Sequence, residues 1–322
     1  MYREYYSEKC VDEPVKISII APIYGVEQYI EEFAHSVLSQ SYPYIEFVFV
    51  NDGTKDKSIE ILERLIDEKY SSRRDNIKVV HKSNAGLPAA RATGLEYATG
   101  DYVYHVDSDD WLANDAIKKI VEAINATNAD IVYFNYVKEY PNRSSKKRER
   151  AYTNSQRADY VRNMYSHKSY GTLCNKCICR TLYTDNEIFI PKYGYAEDCC
   201  VTTQLVGFSK SIAFLDEYLY HYRKGNPSAM TSQNIKKRKK EYALNILDLY
   251  ETYMDRSAEE NPISVIKDDI VIQAGWSSLL YGFNLFKERS YLADAIRKAK
   301  IQGGSNVWLL NQIVTKLFAW FM

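Results

Sequence analysis

Hydrophobic positions up to residue 140 switch repeatedly between runs typical of strands and spacings typical of helices. Short apolar or alternating runs predict strands at 16–21, 45–50, 77–80, 102–106 and 130–137. Helical spacing between them predicts helices at 26–39, 58–70, 87–98 and 115–125, the last capped by Asn114. The run at 45–50 is almost entirely apolar, as expected for a parallel strand with helices on both faces. This alternation predicts an α/β fold with a layered, mixed and mostly parallel sheet flanked by helices.

The pattern changes after residue 140. Residues 141–150 are polar and basic, which predicts a solvated loop, with contact to an anionic acceptor or a lipid headgroup as the alternative. Pro227 ends the mixed pattern, and mainly helical patterns follow the basic run at 236–240. We therefore predict an α/β domain at 1–230 and a helical C-terminal region at 231–322.

The segment 307–322 is markedly apolar and too short to span a bilayer. Two placements are open for it: an anchoring helix in the membrane interface, or a segment docked on the core or on a second subunit of a homo-oligomer.

Composition narrows the class of protein. The 322 residues carry 42 basic and 42 acidic side chains, so the net charge of zero argues against a nucleic-acid partner. The N-terminal residues lack the apolar core of a signal peptide, and no apolar stretch is long enough to cross a membrane. We therefore expect a cytoplasmic protein, either free or peripheral at the inner face of the cell membrane.

The cysteines allow two interpretations. Cys174, Cys177 and Cys179 form a CxxCxC cluster, and Cys199 and Cys200 follow later. Thiolates at this spacing can bind zinc. Cys177 and Cys179 also alternate along a predicted strand, and Cys199 and Cys200 lead into an apolar helical run, which favours reduced, packed thiols.

Four predicted strands end in residues suited to a nucleotide, at the edge where open α/β sheets bind ligands. The ends read Pro-Ile-Tyr at 22–24, Asn-Asp-Gly-Thr at 51–54, a polar loop at 81–86 and Asp-Ser-Asp-Asp at 107–110. Asp52 can accept a hydrogen bond from a base imide, although Asp-Gly is also an ordinary turn. The crowded acids suit Mg²⁺ or Mn²⁺ with substrate phosphates, although acids also favour a helix start. Together, the four ends favour a nucleotide site.

Several motifs in this order resemble the family 2 glycosyltransferases of the GT-A fold, a Rossmann-like α/β fold. The resemblance spans about residues 15–230 and rests on segments 17–24, 39–42, 50–54, 84–94, 107–112, 175–176, 197–198 and 220–223. Gly25 stands where the family commonly has asparagine, and Thr54 where it commonly has serine. The resemblance implies a donor-binding half at 15–110 and an acceptor half at 111–230.

The resemblance also implies roles for individual residues. Asp52 would read the nucleobase, usually uracil, in a pocket lined by Pro22 and Tyr24. Asp107 and Asp109 match the DxD motif, in which the second acid binds Mn²⁺ or Mg²⁺ and the first contacts the ribose or the metal. Arg91 would lie near the diphosphate, although a packing role in its helix is also open.

Residues 197–223 carry the remaining implied roles. Glu197 and Asp198 match the ED motif, with Asp198 as the general base, although both also suit a helix start. His221 and Arg223 could reach the diphosphate from a loop that closes over the donor. A metal-ligand role and a packed role are both open for His221.

The implied activity is metal-dependent, inverting transfer of a sugar from a nucleoside diphosphate sugar, usually a UDP-sugar. Its acceptor would be a hydroxyl of a glycan or lipid-linked oligosaccharide in capsule, lipopolysaccharide or exopolysaccharide assembly. One alternative is a non-catalytic protein that binds sugar nucleotides or acts as a scaffold. A nicotinamide-dependent oxidoreductase would need a glycine-rich turn after the first strand, whereas residues 21–25 read Ala-Pro-Ile-Tyr-Gly.

Overall fold

The computed structural model describes residues 13–226, 234–256 and 261–281, and positions 285, 289, 291, 292 and 295. Strands and helices alternate up to residue 105, as the sequence predicts. The elements are β1 (Ile17–Ile23), α1 (Ile30–Leu38), β2 (Ile45–Asn51), α2 (Ser58–Lys69), β3 (Ile77–His81), α3 (Leu87–Tyr97) and β4 (Tyr102–His105).

The second half begins with a short strand and ends in two long helices. Its strands are β5 (Trp111–Leu112), β6 (Ile131–Tyr140), β7 (Arg143–Lys147), β8 (Lys176–Cys179) and β9 (Ile212–Arg223). Its helices are α4 (Ala116–Thr127), α5 (Arg157–Tyr165), α6 (Thr181–Thr184), α7 (Glu197–Phe208), α8 (Ile235–Tyr253) and α9 (Lys267–Tyr281).

One mixed sheet runs in the order β3-β2-β1-β4-β8-β6-β9-β5, and β7 pairs with β6. The first four strands are parallel, and the β6–β9 pair is parallel as well. Strand β8 is antiparallel to both β4 and β6 and joins the two halves of the sheet. The predicted α/β class, with a mostly parallel sheet between helices, is confirmed.

Both faces of the parallel half are covered. Ile19 packs in the core that includes α1, α2 and α4, whereas Ile20 packs with Ala90 of α3 on the opposite face. Successive strand residues point to opposite faces, which explains the nearly continuous apolar pattern of β1 and β2. Parallel strands also bring the carboxyl ends of β1, β2 and β4 to one edge of the sheet.

A further core lies under the C-terminal half. It joins residues of β6, α5 and α7 to buried residues of α8 and α9, including Leu247 and Ile270. The described part of the 231–322 region is therefore helical and packs on the α/β part, while its boundary at residue 230 stays a prediction. The apolar segment 307–322 lies outside the described residues. No helix within the described ranges is both long and apolar enough to cross a membrane.

Three local predictions are wrong. Residues 143–147, predicted as loop, form β7 and pair antiparallel with Tyr136–Tyr140. The basic side chains suit an edge strand because they discourage pairing with other chains. Helix α1 begins at Ile30 rather than at residue 26. The N-cap of α4 is Asp115 rather than Asn114, and its side chain makes no capping hydrogen bond.

Candidate active site

The carboxyl ends of β1, β2 and β4 meet the first turn of α7 around one cavity of about 880 Å³. Eight of the ten residues predicted from the sequence line this cavity: Pro22, Tyr24, Asp52, Arg91, Asp107, Asp109, Glu197 and Asp198. The carboxyl ends of the parallel strands therefore form one edge of the cavity, and α7 brings Glu197 and Asp198 to it.

Asp52 organises one corner of the cavity. Its buried carboxylate accepts hydrogen bonds from Lys82 Nζ at 2.7 Å and from the amides of Ala85 at 3.0 Å and Gly86 at 2.8 Å. Gly53 has φ +69°, and a Cβ there would lie 2.9 Å from the Asn84 amide nitrogen, so this turn requires glycine. A carboxylate offers about four acceptor positions, which leaves one of them for a ligand.

Pro22 and Tyr24 form the neighbouring wall. The Pro22 carbonyl accepts a hydrogen bond from Ser108 Oγ at 2.6 Å, which ties the end of β1 to the acidic segment after β4. The Tyr24 ring is 55% exposed although it lines the cavity. An exposed ring beside a polar corner can stack on a planar ligand.

Arg91 joins three carboxylates that the sequence places far apart. Its Nη2 donates to Asp107 Oδ1 at 2.7 Å, and its Nη1 contacts both Glu197 and Asp198. The guanidinium is buried within α3 and links the end of β4 to the start of α7. Arg91 is therefore buried in its helix and also lines the cavity, while its placement near a diphosphate stays a prediction.

Burial and mutual repulsion change the proton affinity of this cluster. Burial raises the pKa of Glu197, and the Asp198 carboxylate raises it further against the opposing effect of Arg91. Burial likewise raises the pKa of Asp107 to about 6. The three surrounding carboxylates raise the pKa of Arg91 despite its desolvation. A guanidinium that stays charged limits the repulsion among these acids.

The turn before α7 sets the direction of its two acids. Ala196, the N-cap residue, has φ +63°, a left-handed conformation that non-glycine residues seldom adopt. Asp198 Oδ2 also accepts a hydrogen bond from the Leu173 amide at 3.3 Å. Glu197 and Asp198 therefore lie at the start of α7, which was one of the two interpretations of the sequence, and both also line the cavity.

The acids after β4 separate into two groups. Asp107 and Asp109 line the cavity, and Asp109 Oδ2 accepts a hydrogen bond from Asn226 Nδ2 at 2.8 Å. Asp110 is buried and accepts hydrogen bonds from the Tyr220 hydroxyl at 2.6 Å and the Arg223 amide at 2.7 Å. Asp110 therefore fixes the position of β9. The carboxylates that line the cavity and can contact a ligand are those of Asp107 and Asp109.

These two carboxylates fit Mg²⁺ or Mn²⁺ because such ions take one or two protein carboxylates and complete their coordination with water and phosphate oxygens. A complete protein shell is absent, since no group of three His, Cys, Asp or Glu residues in the described ranges could hold a metal ion. Binding of a metal ion by Asp107 and Asp109 stays a prediction.

His221 and Arg223 lie in β9 rather than in the expected closing loop, and neither belongs to the described lining of the cavity. The His221 ring stacks on Trp111 at 5.1 Å, and its Nδ1 lies 2.8 Å from Glu139. Arg223 Nε donates to the Asp109 carbonyl at 2.7 Å. Because β9 pairs with β5, His221 and Arg223 contact the segment that follows β4, at the Trp111 ring and at the Asp109 carbonyl. Contact of either residue with a diphosphate stays a prediction.

The five described cysteines are free thiols. Cys177 and Cys179 alternate in β8 as expected, and Cys174 and Cys199 line the cavity. Burial raises the pKa of Cys174 and raises that of Cys199 to about 12, so both thiols stay protonated near neutral pH. Cys174 and Cys177 are buried in the apolar core, as the packed-thiol interpretation expects.

Two polar features beside the site have no local signal in the sequence. The buried Lys176 ammonium donates to the carbonyls of Tyr170 at 2.9 Å and Thr172 at 2.6 Å, which shapes a cavity wall. The second feature is a group of buried polar atoms that have no hydrogen-bond partner among the described protein atoms. They are Arg91 Nε, both ring nitrogens of His105 and the Tyr183 hydroxyl. Only the packing of separate elements creates these environments.

Comparison with known proteins agrees with this geometry. Residues 18–185 match the family described as Glycosyl transferase family 2. The chain is similar to the uncharacterized glycosyltransferase EpsJ of Bacillus subtilis, with 31% identity over 221 residues. That match covers 67% of this chain and 62% of EpsJ.

Another similar protein is the poly(ribitol-phosphate) β-N-acetylglucosaminyltransferase TarS of Staphylococcus aureus, with 30% identity over 65% of this chain and 35% of TarS. The crystal structure of TarS 1–349 with UDP-GlcNAc superposes with a TM-score of 0.64 at 22% identity, covering 88% of this chain and 79% of that one.

The mannosyltransferase PcManGT of Pyrobaculum calidifontis, solved with GDP-Man and Mn²⁺, superposes with a TM-score of 0.56. Its identity is 16%, and the alignment covers 95% of this chain and 81% of PcManGT. At this identity the two superpositions show the shared fold alone. The family match spans more than half of the chain and includes Asp52, Arg91, Asp107 and Asp109. The chain therefore belongs to glycosyl transferase family 2.

Proposed function

We propose that this protein is a metal-dependent inverting glycosyltransferase. It would move a sugar from a nucleoside diphosphate sugar, a UDP-sugar, to a hydroxyl of a surface-glycan acceptor. The observation that carries the proposal is the convergence of Asp107, Asp109 and Asp198 on the cavity that also holds Asp52. A donor and an acceptor hydroxyl need those groups within one enclosure.

The donor would occupy the Asp52 corner. The free acceptor position of Asp52 suits the imide N–H of uracil, and the exposed Tyr24 ring offers a stacking surface. UDP-GlcNAc in the TarS crystal structure supports a UDP-sugar as the first donor to test.

The diphosphate would lie against the segment after β4. Asp109 and Asp107 would hold Mn²⁺ or Mg²⁺, which when bound supplies positive charge for the leaving diphosphate. Mn²⁺ in the PcManGT structure supports this choice of ion. The hydrogen bond from Asn226 and the ion pair with Arg91 orient the two carboxylates beforehand.

Asp198 would act as the general base. It lines the cavity, and Arg91 and the Leu173 amide fix its carboxylate. Burial gives the neighbouring Glu197 a raised pKa, so Glu197 takes up a proton more readily than an ordinary carboxyl. A general base of this kind accelerates transfer by about 10²–10⁴-fold.

A donor screen tests this proposal. Wild-type protein with Mn²⁺ is offered UDP-glucose, UDP-galactose, UDP-N-acetylglucosamine and GDP-mannose, and release of nucleoside diphosphate is followed. We expect Asp109→Ala to lose metal-dependent UDP binding. Asp198→Asn should bind UDP and fail to transfer. Asp115→Asn, a surface carboxylate substitution, serves as the control.

Two results would contradict this assignment. Wild-type transfer by Asp198→Asn would remove that residue from the mechanism. UDP binding without turnover on any donor would instead favour the non-catalytic sugar-nucleotide binding protein, which keeps the fold without the reaction.

The biological setting belongs to the same proposal. TarS is named for a polymer substrate, poly(ribitol-phosphate), and this similarity supports a role in surface-glycan assembly. Work on glycan or lipid-linked acceptors at the inner face of the cell membrane would fit that role. Peripheral contact through segment 307–322 and homo-oligomerisation stay predictions.

A further inference from the structure

The cavity continues well beyond the carboxylate cluster. Its far side is formed by segments 164–172 and 194–196 together with α8 and α9. We call this side the tyrosine wall, because five tyrosines line it: Tyr165, Tyr170, Tyr195, Tyr242 and Tyr281. A volume of about 880 Å³ lies near the upper end of the range of about 300–1,000 Å³ for small-molecule sites, which leaves room for a second ligand.

Hydrogen bonds hold the tyrosine wall in place. The Tyr242 hydroxyl donates to Gln273 Oε1 at 2.6 Å, which joins α8 to α9. Gln273 Nε2 donates to the Tyr165 carbonyl at 3.2 Å, and Asn245 Nδ2 donates to the Tyr195 carbonyl at 3.1 Å. These bonds hold the Tyr242 ring and the backbones of Tyr165 and Tyr195, so the wall offers apolar ring faces and polar edges with little further ordering, which suits a sugar.

The charge of the tyrosine wall is opposite to that of the catalytic cluster. Lys239 lines the cavity with its Nζ 5.9 Å from the Tyr242 ring centroid, and Arg238 lies 5.5 Å from the Tyr195 ring centroid. Within the described ranges neither cation forms an ion pair, whereas Lys237 of the same basic run pairs with Glu241. The acids of the described lining are Asp52, Asp107, Asp109, Glu197 and Asp198, and none of them belongs to segments 164–172 or 194–196 or to α8 or α9.

We propose that the tyrosine wall is the acceptor subsite and that it selects a saccharide bearing a negative group, a carboxylate or a phosphate. The sugar rings would stack on the tyrosines, and the negative group would meet Lys239. This inference rests on the proposed glycosyl transfer. A cation without a protein partner in a recess is less hydrated than one on an open surface, which strengthens its attraction for an anion.

The acceptor would reach the catalytic acids from this side. Tyr195 lies just before Asp198 in the chain, so a sugar on the tyrosine wall can present a hydroxyl to the Asp198 carboxylate. The hydroxyl oxygen then bonds to the anomeric carbon as the bond from that carbon to the diphosphate oxygen breaks. The proton passes to Asp198, and the nucleoside diphosphate leaves with the bonding electrons.

Acceptor charge gives a direct test. Pooled UDP-glucose, UDP-galactose and UDP-N-acetylglucosamine with Mn²⁺ are offered with p-nitrophenyl β-glucoside, its 6-phosphate or p-nitrophenyl β-glucuronide. We expect wild-type kcat/KM to be at least about tenfold higher for a charged acceptor than for the neutral one. Lys239→Gln should lower that ratio about tenfold, which corresponds to about 1.4 kcal/mol. The two charged glycosides show whether a phosphate or a carboxylate is preferred.

Lys240→Gln is the matched control, because Lys240 is exposed on the same helix outside the described lining, and it should keep the wild-type ratio. A wild-type ratio near one, no transfer to any of the three glycosides, or an equal fall in Lys240→Gln would overturn the acceptor proposal. UDP titration of wild-type protein separates the two proposals. Absence of UDP binding, or UDP binding without turnover of any donor, means that the proposed function fails, whereas UDP binding together with turnover of a donor and any of those outcomes means that only the acceptor inference fails.

Discussion

Replacing Arg91 by methionine tests the electrostatic design of the site most directly. Methionine keeps an unbranched apolar stem and removes the charge that faces Asp107, Glu197 and Asp198. Removing one partner of a buried ion pair costs about 3–5 kcal/mol, because the remaining charge stays desolvated. Proton uptake by the acids offsets part of this cost. We therefore expect Arg91→Met to lose about 3–5 kcal/mol of unfolding free energy only at pH values at which the acids are ionised.

The loss should therefore depend on pH. Without Arg91, the pKa values of Asp107 and Glu197 rise further above those of the unfolded chain. The native variant then binds more protons than its unfolded state, so its stability falls as pH rises. The gap in unfolding free energy between wild type and Arg91→Met should widen from pH 5.5 to pH 8.

Urea unfolding at both pH values measures this gap. Arg74→Met is the control, because Arg74 forms an exposed pair with Asp67 at 3.4 Å, worth about 0–1 kcal/mol. Adding Glu197→Gln to Arg91→Met should restore part of the stability by removing one uncompensated charge. The reasoning is refuted if Arg91→Met stays within about 1 kcal/mol of wild type at pH 8, or if the gap does not widen.

Three further substitutions test the surrounding structure. Burial lowers the pKa of Lys176 to about 8, so wild-type stability should rise relative to Lys176→Met between pH 8 and about pH 10 in urea unfolding; parallel profiles would contradict this. Tyr183→Phe removes a buried hydroxyl without a described partner and should raise stability by about 1 kcal/mol, whereas a loss would reveal a partner. Gly207→Ala would place a Cβ 2.6 Å from the Pro262 carbonyl oxygen, so thermal unfolding should show a loss of about 1–3 kcal/mol; an unchanged melting temperature would contradict close packing there.

Local sequence pattern determined the parallel half of the fold and the position of the site. Apolar periodicity fixes which segments bury one or both faces, so β1 to β4 and their helices follow from it. Parallel strands place their carboxyl ends at one edge, so Asp52, Asp107 and Asp109 meet at the same cavity. These relations depend on neighbours in the chain and on one rule of sheet geometry.

Tertiary structure alone decided the partners and orientations. Arg91 meets acids 106 and 107 positions away, and Asp110 turns inward to Tyr220 while Asp109 faces the cavity. The basic segment at 143–147 becomes a strand only because the edge of β6 is available to it. Helices α8 and α9 complete the cavity through the core that they share with α7. Such contacts join residues that are distant in the chain, and their free energy depends on burial and on partners that no local pattern encodes.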